Sequence, residues 1–98
     1  MANFTVISSK TTTTIKQGVG VIEGILVSGP GTSWTIQVFD SNDATTPSNG
    51  RAIFGATAVT VPAAASFINF GPRGTNFSQG LQIVTAGTTA GELTVFWR

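Results

Sequence analysis

Gly20-Val-Ile-Glu-Gly-Ile-Leu-Val-Ser28 and, after Gly29-Pro-Gly-Thr32, Ser33-Trp-Thr-Ile-Gln-Val-Phe-Asp40 decide the fold class. In the second stretch Trp34, Ile36 and Val38 alternate with Thr35 and Gln37, the period of two that sends successive side chains to opposite faces of a strand. In the first, Val21, Ile25 and Val27 alternate with Ile22 and Leu26, so both faces are apolar. That pattern suits a strand inside a sheet, or one whose outer face meets another subunit.

The same alphabet continues on both sides. Nowhere do apolar residues recur at i, i+3, i+4 and i+7, and Thr, Val, Ile and Phe dominate between clusters of Gly, Pro, Asn and Asp. The reading predicts strands over Asn3 to Ser8, Thr11 to Gln17, Gly20 to Ser28, Ser33 to Asp40, Arg51 to Val61, Ser66 to Gly71, Gly80 to Ala86 and Glu92 to Arg98. Their separators are Ser28-Gly-Pro-Gly, the long Asp40 to Gly50 stretch, Gly71-Pro-Arg-Gly and Ala86-Gly-Thr-Thr-Ala-Gly. Ala63-Ala-Ala65 is a connector, since three alanines do not nucleate a helix. In the last strand Leu93, Val95 and Trp97 face the core, opposite Thr94, Phe96 and Arg98. The expectation is an all-β, antiparallel sandwich or barrel of about eight short strands, one domain over residues 1–98. Residues 1–17 form its N-terminal arm or edge strand.

Sixteen Thr and eight Ser stand against 9% charged residues, with no His, Cys or Tyr. Ordinary soluble domains carry roughly 25% charged residues. The polar surface is therefore made of hydroxyls, amides and backbone. A 98-residue chain buries only about 60 to 65% of its extended surface, so association with other subunits is a natural source of further burial. A net charge of +1 offers no basic stripe to follow phosphates, which argues against a nucleic-acid partner. Met1 to Ser8 lacks the basic segment of a secretory signal, and Val19 to Val27 is too short and too interrupted to cross a bilayer. A product made in a cytoplasm, with no membrane partner, is expected.

Candidate chemistry is sparse. Without His or Cys the usual nucleophilic triads and zinc sites have no ligands or bases. Asp40 and Asp43, three apart in a Ser/Asn/Thr/Pro loop, have the spacing of residues that close turns rather than of a glycosidase pair. The stretch lacks the glycine and distant glutamate of a calcium loop. Neither Gly71-Pro-Arg-Gly nor Gly18-Val-Gly opens a helix after a strand, so neither is a phosphate cradle. The expectation is a non-enzyme without cofactor or metal.

Partner contacts are the alternative, and the candidate interface residues are Lys10, Lys16, Ile22, Glu23, Leu26, Arg73, Phe96 and Arg98. Glu23 falls on the parity of Val21, Ile25 and Val27, where an unpaired carboxylate is costly to bury. Either a bulge beside Gly24 turns it outward, or it pairs across an interface. Phe96 beside Arg98 is either an interface anchor or packs under a neighbouring loop. Lys10-Thr-Thr-Thr-Thr-Ile-Lys16 either adds to a neighbour's sheet or protects an edge with its lysines.

The order of Gly20 to Ser28, Ser33 to Asp40, Asn76-Phe-Ser-Gln-Gly-Leu-Gln-Ile-Val-Thr-Ala-Gly87 and Gly91-Glu-Leu-Thr-Val-Phe-Trp-Arg98 resembles small tailed-phage virion proteins. These are hydroxyl-rich β-proteins with a Gly-Leu-x-Ile/Val-x-Thr-x-Gly segment before a C-terminal Leu-Thr-Val-aromatic strand. The resemblance covers the chain from Gly20 onward. It implies a jelly-roll-like sandwich that serves as a capsid cement or decoration protein. Such a protein would be a homotrimer on the capsid surface, with the major capsid protein as partner and no catalytic residues. Two other expectations stand beside it. One is a tail, baseplate or head-fibre adaptor, and the other a carbohydrate-binding module using exposed aromatics and the Asp40 to Gly50 loop.

Overall fold

The computed structural model describes residues 3–98; Met1 and Ala2, the start of the expected arm or edge, lie outside the described residues. The chain forms an all-β sandwich of two antiparallel sheets. Its strands are β1 (Asn3–Ile7), β2 (Thr12–Gln17), β3 (Gly20–Gly29), β4 (Thr32–Asp40), β5 (Arg51–Thr60), β6 (Phe67–Asn69), β7 (Thr75–Phe77), β8 (Gly80–Thr89) and β9 (Glu92–Trp97). A 3-10 turn, Pro47–Asn49, lies between β4 and β5.

One sheet has the order β1-β9-β3-β6, with β7 also paired to β3, and the other the order β2-β8-β4-β5. Because β6 and β7 both pair antiparallel with β3, on Gly24 to Leu26 and Gly20 to Ile22, they are two halves of one interrupted strand. Counted so, the pairings β1·β9, β2·β8, β3·β6/β7 and β4·β5 are nested around the Ser41 to Gly50 loop. The chain is one long ribbon, folded at that loop and rolled so that its layers become two sheets. This is the winding of a jelly roll.

The core lies between the sheets. Ile22, Ile25, Val27, Leu93 and Val95 from one sheet meet Trp34, Ile36, Val38, Leu81 and Ile83 from the other, all without solvent exposure. The alternation read for β4 and β9 therefore holds, with Trp97 half-buried against the core rather than within it. Trp34 contributes volume only, because its buried indole N–H has no acceptor among the described residues. Such a group forgoes about 1–3 kcal/mol of solvation.

In β3 the alternation breaks. The register against β9 shifts between Ile22 and Gly24, so that Glu23 is an extra, bulged residue. Ile22, expected on the outer face with Leu26, is instead fully buried on the same side as Ile25 and Val27. Val21 and Leu26 are half-buried on the outside.

Three boundaries also differ from the sequence reading. The sixth predicted strand is only Phe67–Asn69, and its continuation β7 lies beyond Gly71-Pro-Arg-Gly74, where no strand was expected. The Ala86-Gly-Thr-Thr89 stretch, read as a breaker, stays in β8 rather than ending it. Cross-strand pairing overrides the glycine there, because Gly87 at φ 122° lies opposite Trp34. The Met1 to Gln17 region is no detached arm over its described residues, since β1 and β2 pair with β9 and β8 as the edges of the two sheets. Thr85 fixes the connection between them, its Oγ1 donating to the Ser9 carbonyl at 2.6 Å and accepting from the Thr11 N–H at 3.1 Å.

A methyl group at Gly87 would overlap the Ser33 carbonyl, and Ser33 itself sits at φ 48°. Gly87→Ala should therefore cost more than about 2 kcal/mol, from left-handed strain plus a backbone clash. That lowers Tm by roughly 8 °C or more in thermal unfolding. Ser33→Gly, which relieves the neighbouring strain, should leave Tm unchanged or raise it by a few degrees.

Candidate interaction surface

The outer faces of the two sheets are finished differently. On the β2-β8-β4-β5 sheet the outward residues include Thr14, Gln82 and Phe39, yet Gln82 is 1% and Phe39 5% exposed. The Ser41 to Gly50 loop folds back near them. Pro47 is buried, and Thr45, Thr46, Pro47 and Ser48 share a shallow hollow with Phe39, Gln37, Thr12 and Val84. The Gln82 amide oxygen accepts from the Thr14 hydroxyl at 2.8 Å.

Asp43 shapes this loop. Its Oδ1 accepts the N–H groups of Thr45 and Thr46, and its Oδ2 accepts from the Asn49 amide. Hydrogen bonding led by the Thr46 N–H holds its carboxyl below the ordinary 3.8.

Asp40, the other member of the acid pair, is 5% exposed at the end of β4. Its carboxylate accepts the backbone N–H groups of Ser78, Gln79 and Gly80, which form the turn into β8. Arg51 reaches it at 3.5 Å while donating to the Asn76 carbonyl at 2.9 Å. Burial acts to raise the Asp40 pKa, but the N–H groups of Gln79, Ser78 and Gly80, with Arg51, outweigh it and lower the value below 3.8. Asp40 also lines an open hollow of about 460 Å³ with Val19, Arg51 and Asn76. Its oxygens are already engaged by the turn. The two aspartates thus hold separate backbone segments and do not face a common point.

Among the described residues no loop covers the exposed Phe4, Val6 and Phe67 on the outer face of the β1-β9-β3-β6 sheet. Register places Phe4 opposite Phe96, and Phe96 opposite Gly24. In the next outward row Val6 faces Thr94, Thr94 faces Leu26, and Leu26 faces Phe67. Gly24 has no side chain, and the Phe67 ring fills that space; a methyl group there would overlap it. Phe67 then meets Phe96 with ring centroids 6.3 Å apart. Phe4, Val6 and Phe67 remain 67%, 50% and 52% exposed. Apolar side chains thus run across the whole width of one sheet.

This surface gathers several of the residues singled out in the sequence. Leu26 and Phe96 lie within it, Phe96 packed on Phe67 rather than standing free. Glu23, turned outward by the bulge, pairs with Arg98 at 3.1 Å within the chain. Arg98 also donates to the carbonyl of Arg73, which sits in the exposed loop between β6 and β7. The three residues form one polar border. Ile22 is removed from the set by burial. Lys10 and Lys16 lie along the β2 side, where Lys10 donates to the Thr88 carbonyl and Lys16 stands 6.0 Å over the Trp97 ring. Phe4, Val6 and Phe67 were missed. Pairing of Phe4 with Phe96, visible only in the register, is the signal that joins them.

No family model, curated protein or solved structure matches the chain.

Asp40→Asn keeps the shape but presents an amide N–H to a cluster of N–H donors, so it should cost about 2 kcal/mol. Tm should fall by roughly 8–16 °C. Because the folded pKa of Asp40 is depressed, its contribution is present above 3.8 and lost as pH falls through the folded value. Wild-type stability should therefore decline on acidification in that range. Chemical denaturation of Asp40→Asn at a series of pH values should show a shallower decline, with the Asp43 share remaining.

Proposed function

We propose that this protein is a structural component of a tailed-phage virion, one that binds the outside of the capsid and bridges neighbouring major capsid subunits. The observation that carries the reading is the uncovered apolar face made by Phe4, Val6, Leu26, Phe67 and Phe96 on the β1-β9-β3-β6 sheet. Burying a half-exposed phenylalanine against a partner returns about 1–1.5 kcal/mol, roughly half the value for a full side chain. Few charges need to be stripped of water on this face, since Glu23 and Arg98 at its border already neutralise each other. The jelly-roll strand order is the one that the resemblance to capsid cement and decoration proteins implies. Many such contacts, repeated by the symmetry of a shell, would oppose its expansion under internal pressure.

Purified protein should bind undecorated capsids of its own virus saturably at micromolar concentration, read by co-sedimentation. Phe67→Ser should weaken that binding roughly tenfold or more, as loss of an interface anchor does; losing the half of the ring buried on Gly24 and Phe96 should lower Tm by several degrees but leave the variant folded. Absence of binding by the wild-type chain would sink the reading. Copy number in the particle, measured by gel densitometry, separates shell from tail. Hundreds of copies support the capsid role, whereas a dozen or fewer move the protein to the tail or baseplate.

A further inference from the structure

The sandwich has four edge strands, and they are not treated alike. An exposed edge offers unpaired N–H and C=O groups to any passing strand, and folded proteins block it with charges, prolines, bulges or breaks. On β2 the register slips between Thr14 and Lys16, which puts a lysine at the slip. On β5 the residues Gly55, Ala56, Thr57 and Ala58 stand against Gln37 alone, extruded from the sheet and held by the Gln37 amide on the Gly55 and Ala56 carbonyls. The β6/β7 edge is interrupted by the loop that carries Pro72 and Arg73. Only β1 has no such device among the described residues. Asn3-Phe-Thr-Val-Ile7 pairs with β9 at every position without a shift, and it has no charge, proline or glycine.

We propose that β1 is a strand-addition site whose occupant is β1 of a second copy of this chain, paired antiparallel across a two-fold axis. The strand is complementary to itself. With Thr5 opposite Thr5 of the second copy, Phe4 of each chain lies directly across from Val6 of the other on the same outer face. An aromatic and a β-branched residue in that position form one of the favourable cross-strand pairs. Asn3 and Ile7 complete the register. No like charges meet, because β1 has none and both nearby lysines are drawn onto their own chain, Lys10 by the Thr88 carbonyl and Lys16 by the Trp97 ring.

The flanks of Phe4 and Val6, which are 67% and 50% exposed, are brought together by the same event. The two sheets become one continuous sheet running from β6 of one copy to β6 of the other. Its phenylalanine rows join across the axis. A two-fold pair differs from the three-fold assembly that the resemblance implies; it joins the β1 edges and leaves the outer face of Leu26, Phe67 and Phe96 open for the proposed capsid contact.

Sedimentation of the purified full chain at micromolar concentration tests this. The expected mass is twice the 10.1 kDa of one chain. Val6→Lys, which places a cation opposite Phe4 at an exposed position, should weaken the pair roughly tenfold or more. Amide hydrogen exchange of wild-type protein provides a readout independent of that variant. Exchange in β1 should slow as concentration rises, while the β5 edge stays unchanged. A monomer at these concentrations, a three-fold mass, a pair that survives Val6→Lys in a folded variant, or a pair without added protection in β1 would each overturn the proposal.

Discussion

One extra residue in β3 governs both the interior and the exterior of this protein. Strict alternation through Val21 to Val27 would put Ile22 outside and Glu23 inside. The bulge at Glu23 reverses the order for the first half of the strand, so that Ile22, Ile25 and Val27 all reach the core. An ionised carboxylate is thereby kept out of a core that has no charged partner for it. Gly24, beside the bulge, supplies the depression that Phe67 fills. The core and the aromatic surface are two results of the same local shift.

Around that shift the sandwich divides its labour between two faces. The β2-β8-β4-β5 sheet is closed by the chain itself, through the Ser41 to Gly50 loop and the hydrogen bonds of Asp43. Among the described residues the β1-β9-β3-β6 sheet receives no such covering. Asp40 links the two regimes, since it binds the turn that leads from β7, on the open sheet, into β8, on the closed one. A buried carboxylate surrounded by N–H groups is a strong and directional tie. It fixes the corner at which the ribbon passes from one layer to the other.

Much of this was legible in the amino-acid order. Alternation in Ser33 to Asp40 and Glu92 to Arg98 identified the core residues of β4 and β9 correctly, because those strands pair regularly and one face is plainly apolar. The reading failed where pairing, not composition, decides. Thr75-Asn-Phe77 has too little apolar content to announce a strand, and becomes one because β3 has a free edge there. Ala86 to Thr89 has the composition of a turn and is held extended by β4. The two readings offered for Glu23 turned on a bulge that only the register with β9 reveals. Phe4, Val6 and Phe67 are distant in sequence from Phe96 and meet it through cross-strand neighbours. Their common surface is a property of the topology rather than of any segment.

The nested pairing also has a temporal side. Closing the Ser41 to Gly50 loop brings β4 and β5 together at the smallest entropic cost of any pairing in the ribbon, and each outer pair then closes a gap already shortened by the one inside it. Contacts between distant parts of the chain make such topologies slow to fold. Zipping from the loop outward adds β3 with β6 and β7, then β2 with β8, and lastly β1 with β9. The strand with the least defended edge is then the last to enter the structure. Until β9 and β1 arrive, β3 has an unpaired edge of its own, so the chain is most open to strand addition before its last pair closes.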